Sequence, residues 1–224
     1  MRWLWIAAIV AVLAAVSSAC GGSDKAAPSL SDADLKAIVM LTSEGLPWQV
    51  TPDTDSADSN EQASLAFADP SKWLANYQKW GRTSGHTAAY GLSGSAGASL
   101  LTQVEAYSTT GGAKKALSAV RDFMTSGEAL LTYTRLGYTN AEVDVIDAAK
   151  IAEDSSAYHL TVSVNEDRFD TLVIIFRRGS VIAKASVAVS PDTTETADME
   201  AVANQMDGRI QSLLNGQPTT PQAN

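Results

Sequence analysis

The chain has 224 residues, with 16 Lys and Arg against 25 Asp and Glu and a formal charge of −9. That balance argues against nucleic acid as a partner and against electrostatic adsorption to anionic lipid. With 45% hydrophobic residues and a single cysteine, one substantial core is expected, with no internal disulfide and no cysteine-based zinc set.

Met1-Arg2 opens with a positive charge, Trp3 to Val16 carries no polar side chain, and Ser17-Ser18-Ala19 leads into Cys20 and Gly21-Gly22. This resembles a bacterial lipoprotein signal, whose cysteine takes a diacylglycerol and becomes the new N-terminus. In that box Leu or Val is usual where Ser17 stands, and Val16 lies one place earlier. The other two readings are an ordinary secretory leader and an uncleaved anchor. A spanning helix needs roughly 20 apolar residues, whereas the core of a signal peptide has about 7–15. Lipidation also gives an exported single cysteine a use. The resemblance implies a signal peptide over residues 1–19, a lipid anchor at Cys20 and residence at the extracytoplasmic face of the cell membrane. Residues 20–29, rich in Gly, Ser and Ala, are expected to be the lipidated cysteine and a flexible tether.

One α+β domain is expected over residues 30–216, with a disordered tail at 217–224. Ser31 and Asp34 outline a capping box, and Leu35, Ile38, Val39 and Thr42 predict a helix ending near Gly45. Leu46 to Thr51 is a short extended segment at a sheet edge, and Asp53, Asp55 and Asp58 are expected in a solvated loop. As a calcium loop this stretch fails, because Ala57, Asp58 and Ser64 occupy the fifth, sixth and twelfth positions. Asp69-Pro70 starts a helix that places Trp73, Leu74, Tyr77 and Trp80 on one face before Gly81. Arg82 to Leu92 and Leu100 to Ser108 read as a hairpin across Ser93-Gly94-Ser95-Ala96-Gly97. A further helix carries Ala113, Leu117, Val120 and Met124. Leu130 to Tyr133 and Glu142 to Ile146 are the possible strands that follow. Tyr158 to Val164, Thr171 to Phe176 and Val181 to Val189 form an antiparallel meander, turning at Asn165-Glu166-Asp167 and Arg178-Gly179-Ser180. Ser190-Pro191-Asp192 ends it, and Met199, Val202, Met206, Ile210 and Leu213 stripe a last helix.

Catalytic signatures are few. Gly91 to Ser95 lacks the last glycine of a nucleophile elbow, and no phosphate loop is present. His86 and His159 fall in predicted strands, and Arg177 and Arg178 in a solvated hairpin turn. No enzyme activity, metal or cofactor is therefore expected.

Glu44-Gly45-Leu46-Pro47-Trp48, Val104-Glu105-Ala106-Tyr107 running into Ala113 to Ala116, and Phe176 to Ile182 carry a wider resemblance. The chain is similar to actinobacterial-type lipoproteins and to extracellular sensor domains of bacterial serine/threonine kinases. That likeness implies a PsbP-like two-layer sandwich, an antiparallel β-sheet with helices packed on it. The kinase sensors carry disulfide cysteines that this chain lacks, and the class has no shared catalytic residue. Two functions follow. In one, the domain binds an apolar small molecule or lipid at the envelope, with Trp73, Tyr77 and Trp80 as pocket wall. In the other, it is an accessory protein that contacts an envelope partner through its surface.

Overall fold

The structure, a computed structural model, describes residues 26–46, 48–93, 99–164, 167–189 and 196–217. Cys20, the expected leader, most of the expected tail, the hairpin tip at 94–98, the turn at 165–166 and the breaker at 190–192 lie outside them. Among the described residues, no helix is long and apolar enough to cross a membrane.

Seven strands form one open sheet: β1 (Gln49–Asp58), β2 (Arg82–Ser93), β3 (Ser99–Tyr107), β4 (Thr139–Ile146), β5 (Asp154–Val164), β6 (Asp167–Arg178) and β7 (Val181–Val189). Their order is β1-β2-β3-β7-β6-β5-β4, and every neighbouring pair is antiparallel. Helices α1 (Asp32–Val39), α2 (Asn60–Ser64), α3 (Pro70–Trp80), α4 (Thr110–Thr125), α5 (Gly127–Arg135) and α6 (Thr196–Leu214) flank it. This is the expected α+β class, with the meander of β5, β6 and β7 in place.

Strand parity sorts the core into two clusters. Val181, Ala183, Ala185 and Val187 of β7 point to one face, with Ile174, Phe176, Val104 and Ala88, and pack under α1 and α6. Ile182, Val173, Ile175 and Tyr158 point to the other, under α3, α4 and α5. Alanines on the first face let helices settle close to the sheet. The second face carries polar residues among its apolar ones, Gln103, Glu105, Lys184 and Ser186, and its helix layer leaves a cleft over them.

Local chemistry explains most boundaries. Asp69 accepts from the Lys72 N–H at the start of α3, and Gly81 ends that helix in a left-handed conformation, φ 73°. The capping box of Ser31 and Asp34 is formed at α1. That helix ends at Val39, however, short of the expected Gly45. The Tyr90 hydroxyl donates to the Val39 carbonyl at 2.6 Å and accepts from the Leu41 N–H at 2.8 Å, so a side chain of β2 finishes the helix. Thr102 also donates to Val39 O, at 3.0 Å. Tyr90→Phe should therefore orphan the buried Leu41 N–H and lower unfolding free energy by about 1–3 kcal/mol in a urea titration.

Three further expectations are corrected. The acidic stretch Asp53 to Asp58 is part of edge strand β1, not a loop, because its backbone pairs along β2 from Gln49↔Ser93 to Asp58↔Gly85. Its side chains are nearly all exposed, so the apolar alternation that marks a strand is missing. Leu130 to Tyr133 belongs to helix α5, which Ser126 caps and which buries Ala129 and Thr132, three residues apart. Arg177 is buried and Arg178 half-buried, and both are paired rather than free in a turn. Arg177 donates to Glu153, Asp154 and the Gly179 carbonyl, and Arg178 makes a two-pronged contact with Asp207 of α6. A short helix, α2, went unexpected, although Ser59 and Gln62 form a capping box there.

Candidate functional site

Where the helices stand off the second face, a partly open cleft of about 330 Å³ remains. Its floor is sheet: Glu105 and Gln103 of β3, Ile182, Lys184 and Ser186 of β7, Thr171, Val173 and Ile175 of β6, and Leu160 of β5. Its walls are Tyr77 of α3, Val120, Phe123 and Met124 of α4, and Tyr133 of α5, with Leu136 just beyond α5. The lining is mostly apolar, with Gln103, Thr171 and Ser186 as polar groups on the floor and two charges, Glu105 and Lys184. A second, shallower cleft of about 410 Å³ lies outside it between α3 and α5, lined by Trp73, Phe123, Leu131 and Arg135 among others.

The aromatic stripe of α3 supports this wall. Trp73 is buried and stacks on Phe67, ring centres 3.7 Å apart at 13°. It meets Phe123 edge-on at 5.7 Å and Trp80 edge-on at 6.1 Å. Tyr77 faces the main cleft, Trp73 borders the outer one, and Trp80 lines neither. Phe67 and Phe123 complete the cluster. Sequence reading missed Phe67, which follows a helix too short to show a period.

Beside the cleft floor lies a buried ionic group. Arg82 has no exposed side-chain surface and donates to Asp58 at 2.8 Å and to Asn60 at 3.0 Å. Its Nε lies 3.2 Å from Glu105 at an angle too poor for a hydrogen bond, so this contact is an ion pair only. Its guanidinium also sits 5.0 Å from the Tyr77 ring centre. The other Glu105 oxygen accepts from the Tyr107 hydroxyl at 2.7 Å. The register of β2 on β3 slips between Arg82 and Ser84. Such a slip turns a side chain to the opposite face, and it brings Arg82 to the side of Glu105 and away from His86. Gly85 leaves room for the pair, since a Cβ there would lie 2.0 Å from Asp58 Oδ1.

Burial opposes the Arg82 charge, but Glu105 and Asp58 outweigh it and raise its pKa. Burial pushes the Asp58 carboxyl up against the pull of Arg82. Tyr77 is raised by burial and by Glu105, so its hydroxyl stays protonated. Lys184 is pushed down by burial, with Glu105 and Asp58 opposing.

Both histidines face carboxylates away from the cleft lining. His86 is buried on the opposite face, its ring nitrogens 3.0 Å from Asp32 and 3.0 Å from Asp55, and it ties α1 to edge strand β1. His159 lies 3.2 Å from Asp170. Among the described residues, no three of His, Cys, Asp and Glu are grouped to hold a metal ion.

No protein-family model matches the chain, and no curated protein matches it. Among solved structures, the chain is similar to the extracellular domain of PknH from Mycobacterium tuberculosis. Identity is 12% and the TM-score 0.45, over 87% of this chain and 100% of that one. It is also similar to an uncharacterized protein from Mycobacterium smegmatis, at 9% identity and a TM-score of 0.40, over 81% of this chain and 94% of that one.

Proposed function

We propose that this is a lipid-anchored extracytoplasmic domain that binds an apolar or amphipathic ligand in the cleft beneath α3, α4 and α5 and performs no chemistry on it. The observation that carries this reading is the unfilled space over Val173, Ile175 and Ile182. Apolar strand residues are ordinarily covered by close-packed side chains, so a partly open cleft of about 330 Å³ over them is an exception. It falls at the small end of ligand pockets, about 300–1,000 Å³, which are mostly apolar with a few placed polar groups. Tyr77, its hydroxyl kept neutral, contributes wall and not a base.

The anchor is supported by the apolar run before Cys20 and by the use that lipidation gives a lone exported cysteine. Ala26 bridges Thr109, and the Ala27 N–H donates to Ser108 O, so the chain is held against the domain six residues after Cys20. Cys20→Ala is expected to move the protein from the membrane fraction to the soluble one. A variant still in membranes after its leader is removed would refute lipid anchoring.

Native mass spectrometry of residues 21–224, which contain every described element, tests the binding reading. A co-purifying adduct of lipid-like mass supports it. A bare mass, together with melting unchanged by added amphiphiles, favours the surface-acting reading. For that alternative, Leu131 and Leu136 are exposed on and beside α5 and offer an apolar contact.

A further inference from the structure

Among the described residues, Lys184 is the one charge lining the cleft without a partner, and the register of β7 shows why it lies there. It is paired with Gln103 on β3 and Ile175 on β6, between Ile182 and Ser186 on the same face. It makes no hydrogen bond or ion pair among the described residues. Other buried or half-buried cations have acceptors. Arg82 has Asp58 and Glu105, Arg177 has Glu153 and Asp154, Arg178 has Asp207, and Arg209 donates to the carbonyls that end α1. Glu105, the nearby carboxylate, has one oxygen on Arg82 and the other on the Tyr107 hydroxyl. A half-buried ammonium set among apolar strand residues without a counter-charge is unfavourable, and an anion entering the cleft would relieve it.

We infer that Lys184 anchors the head of the ligand, so that the cleft takes a single-chain amphiphile with an anionic head, carboxylate or phosphate. The inference rests on the reading of the cleft as a ligand site. The head would sit on Lys184, within the polar strip of Gln103, Thr171 and Ser186, and the chain would lie along Val173, Ile175, Val120 and Met124. The volume suits one chain and not a two-chain lipid. Burial, which pushes the free ammonium toward neutrality, is offset when an anion arrives.

The test is isothermal titration calorimetry of residues 21–224 with decanoate, decyl phosphate, decanol and decyltrimethylammonium, all below their micellar concentrations. One or both anions should bind about tenfold or more tightly than decanol, and the cation most weakly. Whichever anion binds more tightly identifies the head. Lys184→Met should bring the anions down to the affinity of decanol and leave decanol within about twofold of wild type. Ligand-free, the same variant should melt higher, because an unmatched charge on an apolar floor is replaced by an apolar side chain. Lys184→Gln serves if the methionine variant does not fold. Equal binding of anion and decanol by wild type would overturn the head assignment and leave the cleft reading standing. Binding of none of the four would overturn both.

Discussion

Arg82→Ala is expected to lower the unfolding free energy by about 3–5 kcal/mol, the loss typical when one partner of a buried ion pair is removed. The reason lies in what remains behind. Asp58 and Glu105 are nearly enclosed, with side chains 15% and 11% exposed, and Arg82 is the cation both of them contact. Without it two carboxylates face each other's charge in a site that water scarcely reaches. Burial already pushes Asp58 up while Arg82 is present, so in the variant this carboxyl should take up a proton at a higher pH still. The sign of the pH effect follows. A carboxyl whose native pKa lies above its unfolded value makes folding less favourable as pH rises through the interval between the two. The variant should therefore regain part of its lost stability on acidification from neutral pH toward that interval. Urea titrations at several pH values check this. Adding Glu105→Gln should recover part of the loss, with a coupling of about 0.5–3 kcal/mol between the two sites. A purely additive double mutant would show that Arg82 acts through packing on Tyr77 and not through charge.

Trp73→Ala is expected to cost about 3–5 kcal/mol, as large-to-small changes at buried aromatic positions do. For a domain of this size that corresponds to a fall in melting temperature on the order of 10 °C. Trp73 contacts Phe67, Tyr77, Trp80 and Phe123, drawn from α3, α4 and the segment before α3. Its removal unties α3 from α4, and the wall of the main cleft loses its backing. Trp73→Phe should cost much less, because an aromatic ring can still stack on Phe67. If the phenylalanine variant keeps both stability and amphiphile binding while the alanine variant loses both, Trp73 acts by holding the wall. Loss of binding in both variants with stability kept would instead make the indole itself a ligand contact.

Where a residue's neighbours in sequence decide its structure, the chain could be read directly. Asp69-Pro70 and Gly81 delimit α3, Ser31 and Asp34 cap α1, and the alternation from Tyr158 to Val164 marks β5, because caps and periodicity are properties of a few consecutive residues. The run apolar on both parities from Thr171 to Phe176 likewise announced an inner strand covered on both faces. Edge strand β1 was legible only at its start, Gln49 to Thr51, for the converse reason: beyond it the strand is held by backbone pairing to β2 and its side chains carry no apolar pattern. Helix α5 looked like a strand because Thr132 and Tyr133 favour extended structure until Ser126 caps the turn and Ala129 finds a core.

The sequence by itself therefore determined the class of fold, the starts of α1 and α3 and the paired strands of the meander. Only the tertiary structure decided how far α1 runs, because Tyr90 lies 51 residues from the carbonyl it caps. It alone set Arg82 against two carboxylates through a slipped register, and it alone left Lys184 unmatched on the floor of a cleft. Each of these depends on which residues are opposed across strands distant in sequence, and no local pattern encodes that opposition.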